Sequence, residues 1–208
     1  MSESKVILIG YSGHAYVVAE AALEMGIPLK YYAEQQQTAL NPFNLIYLGF
    51  EGEQNFKGWS DESSFVLGIG DNFIRQKVAK TILDKERKLL NVIHPSANCS
   101  KYLQIGIGNF IARNVSINPL VSIGDFCIIN TGSIIEHECK LSDAVHIAPG
   151  AVLAGNIEVG ERSFIGANAV VKQGVKIGKD VIVGAGTVVL KDLEDNSVYV
   201  GNPARKIK

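Results

Sequence analysis

The sequence predicts a chain in two parts, an α/β half of Rossmann type followed by a parallel β-solenoid. In the second half an aliphatic residue recurs at every sixth position, and the residue after it is usually small. A helix places apolar residues at a period of about 3.6 and an ordinary strand at about 2, so neither explains a strict period of six. The first half lacks this repeat. We therefore predict an α/β domain over residues 1–92 and a solenoid domain over residues 93–208.

Buried strands alternate with helices in the first half, which predicts a small parallel sheet. The predicted elements, in chain order, are a strand at 5–9, a tight turn at 10–14, a helix at 15–25, a strand ending at 31–32, a strand at 65–67, a helix at 73–85 and a strand at 89–93. Residues 35–64 have no clear pattern, and we predict no element in them.

The turn at residues 10–14 lies between a strand and the amino end of a helix, where Rossmann-type folds bind phosphates. Its sequence, Gly-Tyr-Ser-Gly-His, lacks the third glycine of the dinucleotide fingerprint, because Ala15 follows His14. Two interpretations remain open. One is a tight turn that needs glycine, and the other is a nucleotide or nucleotide-sugar site lined by Ser12, Gly13 and His14.

Two further positions are candidates for the same ligand. Glu34 follows the second strand, where an acidic residue usually meets a ribose or base, although an acidic residue at such a position is by itself more commonly a solvated loop residue. Gly70 lies in another strand-to-helix turn and can approach the ligand closely. We therefore predict that Glu34, its neighbour Gln35 and Gly70 contribute to substrate binding.

The six-residue repeat of the second half is unbroken over fifteen positions. A repeat this short, whose neighbours stack to share one core, is typical of a solenoid. The fourth position after the aliphatic is mostly small or β-branched, and Cys127 and Cys139 occupy it, so we expect buried thiols that pack and do not carry acyl groups. The aliphatic positions are Ile105, Ile111, Ile117, Ile123, Ile129, Ile135, Leu141, Ile147, Leu153, Val159, Ile165, Val171, Ile177, Val183 and Val189.

Composition argues against several classes of protein. The chain carries 20 basic and 21 acidic residues, a net charge of −1, which argues against binding to nucleic acid or an anionic membrane surface. It has no apolar run of spanning length, and its first residues show no signal-peptide pattern. We therefore expect a cytoplasmic protein.

The segment from Asn130 to Cys139 contains the candidate chemistry. His137 is followed by Glu138, and a carboxylate beside a histidine can fix its tautomer and raise its basicity for general base catalysis. A lone histidine in a polar turn is more commonly a surface residue, so the pair by itself leaves both interpretations open. Asn130 also has two equally supported interpretations: it orients the acceptor, or it fills a corner of the coil.

These motifs together resemble the hexapeptide-repeat acyltransferases. Within them the chain is similar to the two-domain sugar acetyltransferases: UDP-4-amino-sugar N-acetyltransferases of bacillosamine synthesis, perosamine N-acetyltransferases and sialic acid O-acetyltransferases. The resemblance implies a left-handed parallel β-helix with 18 residues per coil, acetyl-CoA as co-substrate, and a homotrimer with active sites between subunits. It rests on residues 10–14, 69–72 with Arg75, 130–139, His146, 154–156 and 200–204.

The resemblance also implies residue roles. His137 is the general base with Glu138 as its partner, the Gly155 amide contacts the thioester carbonyl, and His146 touches acetyl-CoA. Backbone contacts to the CoA arm map to Ala167 and Ala185, and the nucleotide-sugar turn maps to Ser12, Gly13 and His14. The bacillosamine enzymes carry two aspartates where this chain has Glu34 and Gln35, so the nucleotide is not specified.

Repeat spacing adds an independent argument about this site. Gly155 lies 18 residues after His137 and therefore stacks on it, at a strand spacing of about 4.8 Å. His146 lies half a coil from His137, on the far side of the same prism. Both can line one site only if it lies between two prisms, which indicates an oligomer.

The sequence thus predicts acetyl transfer from acetyl-CoA to the 4-amino group of a nucleotide-linked sugar. An O-acetyltransferase acting on sialic acid or a related sugar hydroxyl would use the same base. A metal enzyme such as a γ-carbonic anhydrase needs three histidines around zinc, whereas the chain has four histidines of which His14 lies in the first half, so no metal site is predicted. A purely structural solenoid is the remaining alternative.

Overall fold

The structure is a computed structural model that describes residues 5–59 and 62–208. The first half forms a five-stranded parallel sheet in the order β3-β2-β1-β4-β5, with a helix after β1 and a helix after β4. The strand order changes direction at β1, which creates a crevice at the carboxyl ends of β1 and β4. The elements are β1 (Val6–Ile9), α1 (Gly13–Glu24), β2 (Leu29–Ala33), β3 (Ile46–Tyr47), β4 (Ser64–Leu67), α2 (Asn72–Asp84) and β5 (Lys88–Leu89).

The second half is a parallel solenoid, as predicted, with strands that begin every six residues from Val92 to Val188. Three sheets form the faces of a prism, and each strand that begins between Val92 and Val170 pairs in register with the strand 18 residues further on. Face one contains β6 (Val92–Ile93), β9 (Phe110–Ile111), β12 (Ile128–Ile129), β15 (His146–Ile147), β18 (Phe164–Ile165), β21 (Ile182–Val183), β23 (Val198–Val200) and β24 (Arg205–Lys206). Face two contains β7 (Asn98–Cys99), β10 (Ser116–Ile117), β13 (Ile134–Ile135), β16 (Val152–Leu153), β19 (Val170–Val171) and β22 (Val188–Val189). Face three contains β8 (Gln104–Ile105), β11 (Ser122–Ile123), β14 (Lys140–Leu141), β17 (Glu158–Val159) and β20 (Lys176–Ile177).

A left-handed residue at every corner explains the period of six. The third residue after each aliphatic has a positive φ at fourteen consecutive repeats, and nine of these residues are Gly, Asn or Asp. These residue types reach the left-handed region at the lowest cost. The fourteen are Gly108, Asn114, Leu120, Phe126, Gly132, Glu138, Ala144, Gly150, Asn156, Arg162, Asn168, Gly174, Asp180 and Gly186.

The prism interior is filled as the repeat predicts. Fourteen of the fifteen aliphatic residues are buried, and Ile105, in the first coil, is half-buried. Cys127 and Cys139 point inward, and their thiols donate to the carbonyl oxygens of Ser142 and Ala154, each at 3.1 Å. Their packing role is therefore confirmed.

Residues 89–93 were predicted as one strand, and this prediction is wrong. The structure divides them into β5, which joins the α/β sheet, and β6, which joins the solenoid. Ile93 already lies on the six-residue frame and pairs with Ile111, so the chain changes sheet at Leu90–Asn91. The predicted domain boundary after residue 92 falls inside β6. Residues 35–59, which showed no pattern, contain the short edge strand β3.

The outward residues differ between the three faces. On face one the α/β half covers Phe110, Ile128 and His146, which are 3%, 1% and 9% exposed. Face two presents an uncovered aliphatic ladder of Ile134, Val152, Val170 and Val188, and face three presents the alternating charges of Lys140, Glu158 and Lys176. Among the described residues, no helix is long and apolar enough to cross a membrane.

Candidate active site

A cavity of about 640 Å³ opens in the crevice at the carboxyl ends of β1 and β4. Five of the six residues predicted to bind substrate line it, namely Ser12, His14, Glu34, Gln35 and Gly70. The sixth, Gly13, is the first residue of α1 beside them. The other lining residues are Gly10, Phe50, Glu51, Gly52, Gly68, Ile69, Phe73, Ile74, Lys77, Val78 and Thr81.

The amino end of α1 is open towards this cavity. Ser12 is the N-cap residue, but its side chain makes no capping hydrogen bond, and within residues 5–59 and 62–208 no acceptor engages the first amides of the helix. A Cβ on Gly68 would lie 2.7 Å from the Cβ of Ala15, so glycine allows the turn after β4 to pack against the start of α1. Free amides at a helix N-terminus favour an anionic group such as a phosphate.

Glu34 has a structural contact that the sequence did not indicate. Its carboxylate accepts hydrogen bonds from the backbone amides of Tyr11 and Gln35, each at 2.9 Å, and so ties the end of β2 to the turn after β1. Sequence reasoning also missed Phe50 and Glu51, which line the cavity from the unpatterned stretch. Gly49 and Gly52 flank them directly after β3, and this glycine pair was the available signal.

In the solenoid, two of the three predicted catalytic residues, His137 and Glu138, lie with Gly155 at the corner between faces two and three. We call residues 136–138 and 154–156, which stack there, the His137 corner. The Nδ1 atom of His137 lies 3.0 Å from Oε2 of Glu138, and both side chains are about half exposed. The imidazole lies directly against Gly155, because a Cβ there would be 2.5 Å from its Cε1 atom and 2.6 Å from its Nε2 atom.

The other predicted residues lie at a different corner, between faces one and two. We call residues 130–132, 148–150, 166–168 and 184–186 the Ala167 corner; it carries Asn130, Ala167 and Ala185. His146, on the adjoining strand β15, contacts Asn130 through its Nε2 atom, 3.3 Å from Nδ2. The His137 and Ala167 corners form the two edges of face two.

His146 is buried within its own chain. Its ring lies 6.2 Å from the ring of His14 and 4.9 Å from that of Phe164, between the two halves of the chain. Burial, together with the positive charge of Arg75, lowers the pKa of His146 to about 3 and that of His14 to about 4, so both rings are neutral at pH 7. Packing inside one chain thus accounts for the burial of His146, which gives no separate argument for an oligomer.

Within residues 5–59 and 62–208, no group of three or more His, Cys, Asp or Glu side chains is placed to hold a metal ion. The candidate site consists of a cavity at the amino end of α1 in the α/β half and a histidine–carboxylate pair beside a glycine amide in the solenoid. This combination suits acyl transfer to an acceptor that carries phosphate.

Comparison with known proteins agrees with this architecture. Residues 5–82 match the PglD N-terminal domain, residues 138–173 the bacterial transferase hexapeptide, and residues 156–191 the hexapeptide repeat of succinyl-transferase. The GDP-perosamine N-acetyltransferase of Escherichia coli O157:H7 is 35% identical over 85 residues, which are 41% of this chain and 38% of that protein. A 31% identical match to an uncharacterized protein of Acanthamoeba polyphaga mimivirus spans 24% of that protein. The chain thus spans well under half the length of the curated relatives it matches.

Solved structures match over almost the whole chain. PerB from Caulobacter crescentus, in complex with CoA and GDP-perosamine, is 38% identical with a TM-score of 0.89, and the match covers 98% of this chain and 97% of that one. The acetyltransferase domain of PglB from Neisseria gonorrhoeae, in complex with acetyl coenzyme A, is 30% identical with a TM-score of 0.92 over 99% and 100% of the two chains. The chain belongs to this family of sugar N-acetyltransferases, which join a PglD-type N-terminal domain to a hexapeptide-repeat solenoid.

Proposed function

We propose that this chain transfers the acetyl group of acetyl-CoA to the 4-amino group of a nucleotide-linked sugar. The observation that carries the proposal is the His137 corner, where a histidine hydrogen-bonded to a carboxylate lies against a glycine whose amide no acceptor engages in the described part of the chain. The relatives support the two substrates, since the Caulobacter enzyme is complexed with CoA and GDP-perosamine and the Neisseria domain with acetyl coenzyme A.

The α/β cavity is the proposed nucleotide site. The diphosphate would meet the open amino end of α1 at Ser12, Gly13 and His14, and Gly70 would form the opposite wall. Glu34 holds the first turn in place through Tyr11, and Gln35 lies beside it at the cavity edge. The sugar would then extend from the cavity past His14 towards Asn130, which orients the acceptor.

The reaction is a direct transfer. The amine nitrogen attacks the thioester carbon, and His137 accepts the proton that the nitrogen loses. When Glu138 accepts the hydrogen bond from Nδ1–H, the opposite nitrogen Nε2 is free for this proton. The Gly155 N–H, which no acceptor engages within the described residues, donates to the developing oxyanion. The C–S bond then breaks, and the proton passes from His137 to the CoA sulfur.

A complete site needs two copies of the chain. The His137 corner and the Ala167 corner lie on opposite edges of face two, so one prism does not bring them together. If the aliphatic ladders of three copies face a common axis, the His137 corner of each copy meets the Ala167 corner of the next. His137 and Gly155 would then act on acetyl-CoA held by backbone at Ala167 and Ala185, with His146 beside it. We therefore propose a homotrimer with three sites between subunits.

The test is a panel of UDP-, GDP- and CMP-linked 4-amino sugars with acetyl-CoA, followed by release of free thiol and by the mass of the product. We expect one nucleotide sugar to gain an acetyl group on nitrogen. The corresponding 4-hydroxy sugar tests the O-acetyl alternative in the same assay. A wild-type protein that acetylates none of the amino sugars would contradict the proposed function.

His137→Asn tests the base. General base catalysis contributes about 10²- to 10⁴-fold, so we expect kcat to fall within that range while the KM for acetyl-CoA changes little. His94→Asn is the matched control, because His94 lies on another part of the solenoid, where it pairs with Glu24 of α1 at 2.8 Å. Full turnover by the His137 variant would exclude the proposed mechanism.

A further inference from the structure

Helix α2 contacts the solenoid through a buried arginine. Arg75 is 1% exposed, and its guanidinium donates five hydrogen bonds to oxygen atoms of uncharged groups. Two of these acceptors, the carbonyl oxygens of Phe126 at 2.7 Å and Ala144 at 3.0 Å, belong to the solenoid. Two others, the carbonyl oxygens of Ile69 at 3.2 Å and Gly70 at 3.0 Å, belong to the turn that lines the nucleotide cavity.

The fifth acceptor extends the same contact. Arg75 donates to Oδ1 of Asn72 at 2.8 Å, and the amide nitrogen of Asn72 donates to the carbonyl of Arg162 at 2.8 Å. Phe126, Ala144 and Arg162 are 18 residues apart and are the left-handed residues of three stacked corners. Helix α2 therefore docks on one corner of three successive coils, which defines its height along the prism.

This arrangement is costly for a residue that only fills space. Burial opposes the charge of Arg75 and lowers its pKa to about 10, and none of its five acceptors is a carboxylate. A planar guanidinium has five N–H donors in a fixed geometry, whereas a lysine has three on a single nitrogen and an apolar residue has none. The geometry thus suits a group that must hold three backbone segments at fixed relative positions.

We propose that Arg75 is a positioning residue, which fixes the nucleotide-binding turn at Ile69–Gly70 relative to the solenoid so that the bound amino sugar is held at the site of acetyl transfer. The inference rests on the proposed function. Binding of a remote part of a substrate accelerates a reaction only when it places the reacting atoms correctly. Arg75 would provide that link, because it bonds to the cavity wall and to the solenoid at once.

The test compares Arg75→Lys with the wild type on two acceptors: the nucleotide-linked amino sugar identified in the panel, and the same amino sugar as its 1-phosphate. A small misplacement of reacting atoms costs on the order of 10- to 100-fold, so we expect kcat on the nucleotide-linked sugar to fall by this factor. The kcat/KM for the 1-phosphate and the KM for acetyl-CoA should stay within about twofold, because neither depends on the nucleotide. Calorimetry with the free nucleoside diphosphate should show retained binding.

Gln76→Ala is the matched control. Gln76 is also buried in the α2 interface and bonds to Glu161 and Arg162, but it does not touch the cavity turn. If Arg75→Lys lowered turnover equally on both acceptors, or if Gln76→Ala lowered kcat on the nucleotide-linked sugar alone, Arg75 would have only a structural role and the inference would be overturned. If Arg75→Lys does not fold, Asn72→Ala replaces it, because it removes one partner of Arg75. This variant should show a smaller fall in kcat on the nucleotide-linked sugar alone, and a variant without that selective fall would also overturn the inference. A wild type without turnover would instead overturn the proposed function.

Discussion

At the scale of single residues, the absence of a side chain at position 155 allows His137 to occupy its place. The imidazole fills the space where a Cβ would lie, so the ring and the Gly155 amide meet within one strand spacing of each other. Glu138 has a positive φ of 62°, which turns its carboxylate back to Nδ1 of the neighbouring histidine. Two backbone features therefore position the proposed base.

Gly155→Ala should displace the imidazole and reduce kcat by about 10-fold or more, while the protein stays folded. Gly174→Ala is the control, because it lies one coil further along the same corner with a φ of +76° and open space around it. That variant should lose roughly 1–2 kcal/mol of stability from backbone strain but keep its turnover. Steady-state kinetics and thermal unfolding of both variants separate the two effects, and equal turnover in both would contradict the proposed geometry.

At the scale of elements, the three faces of the prism have different surroundings. Face one is covered by the α/β half at Phe110, Ile128 and His146, face three carries alternating charges, and face two carries the exposed aliphatic ladder. The two edges of face two hold the two groups of predicted site residues. Assembly around face two would therefore bury the ladder and complete the sites in one step.

Val170→Asp should dissociate the proposed trimer and abolish turnover, because Val170 is 42% exposed in the middle of the ladder and a buried, unpaired carboxylate is costly. Ile182→Asp is the control, since Ile182 is 48% exposed but lies on face one. Light scattering after size-exclusion chromatography gives the mass of each variant. A Val170 variant of unchanged mass would exclude face two as the interface.

At the scale of the whole molecule, two clusters of buried apolar side chains and several polar contacts join the two halves. Residues of α1 and of the solenoid belong to the same cluster of buried side chains, and Phe126 of the solenoid packs with β1, β4 and α2. On the α1 side, Arg113 pairs with Glu20 and Glu24. The buried histidines His14 and His146 lie inside this interface and make its stability depend on pH.

The free energy of unfolding should decrease as the pH falls from about 6.5 to about 4. The unfolded chain binds protons on both histidines near pH 6.5, whereas the pKa of His14 in the fold is about 4 and that of His146 about 3, so acid favours unfolding. Between pH 7 and pH 5 each ring contributes a loss on the order of 2 kcal/mol. His146→Phe introduces the residue type found at Phe110 and Phe164, the equivalent outward positions of face one. This variant should not show the part of the acid destabilisation that His146 causes. Chemical denaturation at several pH values measures the effect. If the free energies of unfolding of variant and wild type fell by the same amount between pH 7 and pH 5, the result would contradict this prediction.

Much of the fold and part of the site could be predicted because their signals are local. The period of six places Cys139 inward and Gly155 over His137 without any knowledge of distant contacts. The role of Arg75 could not be predicted in this way, because its solenoid partners lie 51 and 69 residues further along the chain. Phe50 and Glu51 were missed because a cavity wall made of loop residues requires no periodic pattern.

The amino-acid sequence by itself determines the coil of this protein, because each hexapeptide encodes two inward residues and one left-handed corner. It also determines which corner carries the His-Glu pair. Only the tertiary structure decides how the α/β half sits on the prism, which buries His146 beside His14 and leaves face two open. Packing between distant segments is governed by shape and hydrogen bonding between surfaces, and a one-dimensional repeat contains no information about either.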